Sequence, residues 1–505
     1  MSTNVSESNG WAGQPRGLST LFFTEMWERF SYYGIRPLLV LFMTAALADG
    51  GFGFVRSEAA AIVGIYAACV YLASLPGGWI ADRWLGLRRA IWYGGVLIAC
   101  GHLSIALSAV FAKPAFFMGL VLIVFGTGLL KPNISAIVGE LYPEGGSRRD
   151  AGFSIFYMGI NLGALLAPLI TGYLGERVGW HYGFGAAGVG MVCGLITFRM
   201  RQGSTLGTMG LQPSGSAAEQ RKLKMMVGGG VSLIFAVIVA AMLGVFAINP
   251  VAVAERMSVV MLAMALCYFA YLFFFARPTL DEKKRVAVIV VLFLFATIFW
   301  SAFEQAPTSL NLFARDYTDR VIFGWEMPTL WLQSANSLFV IVLAPVFAAL
   351  WVALGKRGAD LSSPGKFAVG LVFAGLAFLL MVPAANMVIA GGGAVRVSAL
   401  WLVASYFLQT IGELSLSPVG LSSMTKLAPK AYVGQMMGVW FTAAALGNLI
   451  AGLIGGNVDP SKLDQMPGLF QQTALFLFGA AVVLVLLIVP IRNMMRQSSV
   501  GGGSH

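Results

Sequence analysis

Glu25, Glu28, Arg29 and Arg36 stand inside one apolar stretch, 18–47, that otherwise reads as a membrane-spanning helix. The segment runs Glu25-Met-Trp-Glu28-Arg29-Phe30-Ser-Tyr32-Tyr33-Gly34-Ile-Arg36. A charge at bilayer depth is costly and needs a partner, a cavity or a function. At ~100° per residue, Glu25, Arg29, Tyr32 and Arg36 fall within about 60° of arc, so one face carries them. That face looks at something other than lipid. Three more ionisable residues lie deep in apolar segments. They are Lys131 in Gly126-Thr-Gly-Leu-Leu-Lys131-Pro132-Asn133, Glu304 in Phe299-Trp300-Ser-Ala-Phe-Glu304-Gln305-Ala-Pro307, and Glu413 in Gln409-Thr-Ile-Gly412-Glu413-Leu-Ser415-Leu-Ser417-Pro418. A single buried ion pair serves packing as well as function. Seven such groups do not, because desolvating each ion costs several kcal/mol, and their clustering on four helices points to a functional cavity.

The elements that must position these groups follow from composition. Hydrophobic residues make up 58% of the chain and charged residues 11%, against about 25% charged in soluble domains; mean hydropathy is +0.80. The chain is a succession of apolar segments, each long enough to span about 30 Å of hydrocarbon, and we count fourteen. If the N-terminus is cytoplasmic, twenty-two loop cations fall on the inner side and eight on the outer, with Arg29, Arg36 and Lys131 in the membrane. This bias fits the positive-inside rule with both termini inside. It also assigns the net charge of +11 to anionic lipid rather than to nucleic acid. Cys69, Cys100, Cys193 and Cys267 all lie in apolar segments as small packing residues, and no disulfide framework or metal-ligand spacing is present. The first segment is too long and too charged for a cleavable signal peptide. Gly-Gly-Gly-Ser-His505 reads as an appended remnant.

The expected organisation is a cytoplasmic tail (1–17), a six-helix bundle (18–201), a cytoplasmic linker (202–224), an inserted helical hairpin (225–277), a second six-helix bundle (285–493) and a tail (494–505). Removing the hairpin leaves six spans on each side. Between spans two and three, Gly78-Trp-Ile-Ala-Asp82-Arg83-Trp-Leu-Gly-Leu-Arg88-Arg89 resembles the cytoplasmic-loop signature of the major facilitator superfamily, where Asp and Arg can pair at helix ends and latch neighbours. Ordinary positive-inside charge explains the same residues. With the hairpin set aside, Arg36, Lys131, Glu304 and Glu413 belong to core helices one, four, seven and ten, which a two-fold repeat would match as one with seven and four with ten. Pairs Arg36–Glu304 and Lys131–Glu413 are the expected bridges between the halves. Pro132, Pro307 and Pro418 follow the charges closely and weaken their helices locally. Asn161 and Asn336 are mid-span polar groups facing the same question, and Tyr66, Tyr71, Trp300 and Trp440 are aromatic candidates that packing would also explain.

Glu25-x-x-Glu28-Arg29-Phe30-x-Tyr32-Tyr33-Gly34 resembles the first-helix signature of the proton-dependent oligopeptide transporters. Phe156-Tyr157-x-x-Ile-Asn161-x-Gly163 resembles that family's second signature, and Gly412-Glu413…Ser417-Pro418 its tenth core helix. The resemblance covers the chain apart from its tails and implies an all-α membrane protein of major-facilitator fold, with no enzymatic role. It implies proton-coupled symport of di- and tripeptides by alternating access, in the cell membrane, as a monomer, with the proton as coupling ion and no cofactor. It places proton coupling on Glu25, Glu28, Arg29 and Glu304. It puts Arg36 and Lys131 against the peptide carboxylate, and Glu413, Asn161 and Asn336 against the amino terminus. Tyr33, Tyr71, Trp300, Ser417 and Trp440 take the side-chain pocket, and Arg36–Glu304 and Lys131–Glu413 act as gating salt bridges. Animal relatives use a histidine in helix two; this chain has only His102 and His181 besides the terminal one, so coupling falls on carboxylates. Transport of nitrate or another small anion on the same scaffold is the rival reading, but an acidic Glu413 opposite the cations favours a zwitterion. An integral-membrane enzyme would need a nucleophile–base pair or metal ligands, and no such constellation occurs.

Overall fold

The computed structural model describes residues 10, 13–143, 146–276, 279–359, 361–429 and 432–500. Most of the N-terminal tail, Arg277 and Lys430 among the inner cations, and the terminal remnant lie outside the described residues. The helices in order are α1 (Arg16–Thr44), α2 (Arg56–Ile80), α3 (Leu87–Ala106), α4 (Ser108–Glu140), α5 (Gly146–Tyr173), α6 (Trp180–Leu206), α7 (Ala217–Met242) and α8 (Pro250–Phe274). They continue with α9 (Leu280–Phe303), α10 (Asn311–Tyr317), α11 (Ser334–Lys356), α12 (Ser363–Ala390), α13 (Leu400–Leu427), α14 (Val433–Gly455) and α15 (Met466–Val500). Among the described residues, eleven helices are long and apolar enough to cross a membrane. The helices α1, α3 and α13 are long enough but too polar by that measure. They complete the fourteen that the apolar segments predict, and α1 and α13 are polar because they carry buried charges.

The chain divides into two compact units, Met1–Gly53 with Cys69–Asn249, and Phe54–Ala68 with Pro250–His505. The first unit packs α1 on α5 and α6, and α3 on α4 and α6. The second packs α9 on α14 and α15, and α12 on α13 and α15. Each unit thus uses one plan, in which α1 corresponds to α9 and α4 to α13. Helix α2 is divided between the units at residue 68, and the inserted pair is divided too, α7 going with the first unit and α8 with the second.

Glycine sets the closest approaches, because apolar helices in lipid associate through small residues that let backbones touch. A Cβ at Gly94 of α3 would lie 2.6 Å from the carbonyl oxygen of Gly126 on α4, and one at Gly412 of α13 would lie 2.8 Å from that of Gly370 on α12. Gly77 of α2 meets the carbonyl of Gly128 on α4, while Gly64, in the other half of α2, sits against Gly452 of α14. At that end Arg56 pairs with Asp316 at 2.6 Å and donates to the Val458 carbonyl at 2.9 Å.

Of the three prolines beside deep charges, only Pro307 marks a break. The helix α9 stops at Phe303 with Glu304 as its cap, and a wide π-type turn, Ala306–Leu310, leads into α10. Pro132 and Pro418 lie inside helical stretches of α4 and α13, and the kink in α4 is at Ala112 (φ 53°), far from Pro132. The linker is shorter than 202–224: α6 runs on to Leu206 and ends at Gly207 in the left-handed region (φ 54°), and α7 starts early on a capping box formed by Ser216 and Glu219. The loop motif holds this linker. Arg88 donates to the Gln202 side chain at 3.1 Å and to the Gly207 carbonyl at 2.7 Å, Ser214 donates to the Asp82 carbonyl, and Arg83 pairs with Glu219. All four cysteines are free, and Cys100 and Cys267 are exposed on helix faces rather than packed. His102 is wholly buried and packs rather than facing lipid, its Nε2 lying 2.5 Å from Ser31 Oγ.

Glycine at these contacts can be tested against glycine elsewhere. Alanine is the better helix former by about 1 kcal/mol, yet at Gly94 its methyl group enters backbone. Gly94→Ala is expected to lower the unfolding temperature of the detergent-solubilised protein, by the equivalent of about 1–3 kcal/mol of overpacking. Gly228→Ala, on α7 where nothing lies within 4 Å, is expected to leave that temperature unchanged or raise it. Equal losses at both positions would refute the packing role.

Candidate functional site

In the first unit the site is built on α1. Glu25, Glu28 and Arg29 are 2%, 1% and 3% exposed, so their charges are satisfied by protein. The Arg29 guanidinium donates from Nε to Glu28 Oε2 at 2.5 Å and lies 3.1 Å from Glu25 Oε1; its Nη2 also pairs with Glu28. Four residues separate Glu25 from Arg29, one turn of helix, so the pairing is intrinsic to the sequence spacing. Beyond Arg29 the same face carries Tyr32. The guanidiniums of Arg29 and Arg36 stand 5.4 and 5.9 Å from its ring centre, where the π-face attracts cations. Tyr33 packs edge-on against Tyr32 at 5.2 Å.

Two neighbouring helices hold this face in place. Gly163 of α5 lies against the backbone of α1 at Met26 and the Arg29 side chain, and Gly159 lies against Phe22. Thr171, further along α5, donates its hydroxyl to the Gly34 carbonyl at 2.8 Å. The glycines of both signatures are therefore contact points between α1 and α5. Asn161, between the two packing glycines Gly159 and Gly163, is buried and donates to the Tyr157 carbonyl at 3.0 Å. Lys131 of α4 stands with its Nζ 4.3 Å from the ring centre of Tyr71 on α2. Asn133 fixes the α4 backbone there by donating to the Leu129 and Gly77 carbonyls at 2.6 and 3.4 Å.

The second unit carries the acids. Glu304, 6% exposed, caps α9 at its break, and Gln305 beside it donates to the Ser301 carbonyl and accepts from Ser309. On α13, Glu413 accepts from Asn336 of α11 at 3.4 Å, and the same amide nitrogen donates to Thr410 at 2.9 Å. Trp300, one turn before Glu304, is buried against Gly447 of α14. Trp440 of α14 is buried against Gly420 of α13 and Phe367 of α12, and Ser417 is partly buried one turn beyond Glu413. Tyr66, 3% exposed, lies in the half of α2 that belongs to this unit. The structure thus gathers Glu25, Glu28, Arg29, Arg36, Tyr33, Tyr71, Lys131 and Asn161 in one unit, and Trp300, Glu304, Asn336, Glu413, Ser417, Trp440 and Tyr66 in the other.

Sequence reasoning missed Tyr32 as the ring shared by two guanidiniums, and it missed Gln333, Tyr406 and Thr410 around the acids. Periodicity offered a signal for each: Gln333 precedes Asn336 by three residues, and Tyr406 and Thr410 precede Glu413 by seven and three.

Comparison with known proteins places this arrangement. Residues 88–468 match the POT family. The chain is 51% identical to the peptide transporter YePEPT of Yersinia enterocolitica subsp. palearctica, with 98% of each chain covered. It is 37% identical to a di-/tripeptide transporter of Lactococcus lactis subsp. cremoris, over 96% of this chain and 97% of the relative. Among solved structures, the crystal structure of a peptide transporter POT in complex with sulfate superposes with a TM-score of 0.89 at 39% identity, covering 97% of this chain and 98% of that one.

The buried triad on α1 carries a clear energetic expectation. Arg29→Ala leaves Glu25 and Glu28 facing each other without a cation, and removing one partner of a buried pair costs about 3–5 kcal/mol. The solubilised variant is expected to unfold well below the parent, and Arg29→Met combined with Glu28→Gln is expected to recover part of the loss. An Arg29→Ala protein as heat-stable as the parent would show that the triad contributes nothing to the fold.

Proposed function

This chain belongs to the POT family, and we propose that it carries di- and tripeptides across the membrane together with protons, by alternating access. The observation that carries the reading is the division of charge. Arg36 and Lys131 are on one unit, while Glu413, held by the Asn336 amide, is on the other with Glu304. A peptide is a zwitterion, so it needs a cationic and an anionic receptor, with apolar and aromatic room for its variable side chains. Arg36 and Lys131 receive the carboxylate, and Glu413 with Asn336 and Asn161 receives the amino group. Tyr33, Tyr71, Trp300, Ser417 and Trp440 line the side-chain space. Main-chain recognition of this kind makes specificity broad.

Proton coupling falls on Glu25, Glu28 and Glu304, with Arg29 holding the first two. Protonating a carboxylate weakens its hold on a cation and frees Arg36 or Lys131 for the peptide carboxylate, with Arg36–Glu304 and Lys131–Glu413 as the bridges exchanged. Because these groups interact, protonation belongs to the set rather than to one residue. The basic ends of the helices face the cytoplasm with both termini, the protein acts as a monomer, and the proton gradient sets the direction of transport inward.

In proteoliposomes, uptake of labelled dialanine is expected to rise when the outside is acidified, and Lys131→Ala is expected to abolish concentrative uptake. A Lys131→Ala protein that still concentrated dialanine would sink the scheme, and stimulated uptake of nitrate in place of dialanine would favour the anion reading. Glu413→Gln is expected to raise the KM for dialanine about tenfold or more, since a hydrogen bond to a charged group is worth roughly 1.5–3 kcal/mol. An unchanged KM would remove Glu413 from the amino-group site.

A further inference from the structure

The second unit contains a hydrogen-bond chain that packing alone does not require. The helix α9 ends beside Glu304, and the wide turn that follows it, Ala306–Leu310, begins with the Ala306 carbonyl. Gln333, in the turn Thr329–Gln333 that enters α11, takes this carbonyl through its Nε2 at 2.9 Å. The same nitrogen donates to Tyr406 Oη of α13 at 2.9 Å. A primary amide carries two hydrogens, so both bonds are compatible. One turn along α13, Thr410 donates to the Tyr406 carbonyl at 2.8 Å and accepts from Asn336 at 2.9 Å. Asn336 in turn reaches Glu413. Gln333 and Asn336 share a face at the start of α11, and Tyr406, Thr410 and Glu413 are spaced four and three apart on one face of α13. Tyr406 and Thr410 are 1% and 0% exposed, so water does not compete for these bonds.

We propose that Gln333 and Tyr406 are positioning residues that tie the break in α9 beside Glu304 to the carboxylate of Glu413. This rests on the transport reading above and deepens it: Glu304 answers the proton and Glu413 answers the peptide. A displacement of the α9 turn moves the Ala306 carbonyl, and Gln333 passes that movement to Tyr406 and so to the face of α13 that presents Glu413. Polar chains in a low-dielectric surrounding act as a unit rather than as separate bonds. Loss of the link leaves peptide exchange intact, because exchange needs only a loaded site that reorients. It impairs the step in which the proton gradient drives accumulation.

The test uses the full-length protein in proteoliposomes, with gradient-driven accumulation of dialanine and counterflow exchange at equal pH measured side by side. Tyr406→Phe keeps the ring and removes only the hydroxyl that accepts from Gln333. It is expected to lower driven accumulation about tenfold while counterflow stays within roughly twofold of the parent. Gln333→Met is expected to match it, and the double variant to be no worse than Gln333→Met alone, since residues in one network are non-additive. Driven accumulation and counterflow falling in the same proportion in Tyr406→Phe, or neither falling, would overturn the coupling role. Absence of driven dialanine accumulation in the parent protein overturns the transport reading itself, an outcome separate from the first.

Discussion

A guanidinium deprived of water has to be matched by acids at contact distance, and much of the first unit is arranged around that requirement at Arg29. Its two carboxylates come from its own helix, so the triad forms wherever α1 forms. The close fit of α5 against α1 at Gly163 then keeps the triad dry, because a larger side chain at that position would push the helices apart. Burial, charge balance and glycine packing are thus one condition seen from three sides.

The second unit repeats the packing plan and changes the chemistry. Where α1 neutralises its charge with ions, Glu413 of α13 meets the neutral Asn336 amide of α11, which also donates to a Thr410 hydroxyl held by the Tyr406 carbonyl. A carboxylate supported by dipoles stays open to a cation in a way that one bound to arginine does not. The contrast gives two related halves of one fold different chemistry, with Arg36 and Lys131 in one and Glu304 and Glu413 in the other.

The deep charges were readable from sequence because they break the rule that governs everything around them. Glu25, Arg29, Arg36, Lys131, Glu304 and Glu413 each stand out against apolar neighbours, and helical period placed the first three on one stripe. The count of fourteen spans followed from length and hydropathy for the same reason. Glycine contacts were not readable, since Gly94 and Gly228 are both mid-segment glycines and only the fold shows that one touches backbone and the other nothing. Proline was an ambiguous sign: Pro307 breaks a helix while Pro132 and Pro418 do not, because neighbouring helices decide whether the freed carbonyl finds a partner. The loop motif was legible as basic but not in its work, for its Asp82 acts through a main-chain carbonyl. Gln333 and Tyr406 escaped notice because uncharged polar residues at span edges are common, and their meaning comes from the bonds they make between elements.

The division of α2 has a mechanical consequence. The helix is one continuous rod held at two points, by Gly64 and Arg56 to the second unit and by Gly77 to the first. A rod clamped to two bodies is a gauge of any strain between them: it bends, or one clamp slips. Both clamps include close glycine contacts to backbone, of Gly64 with Asn448 and Gly452 and of Gly77 with Gly128. The Arg56–Asp316 pair is the stiffer fastening, since separating it exposes two charges at once. The residues between Gly64 and Gly77 therefore form the compliant section, and a rearrangement of this protein would register first as curvature there.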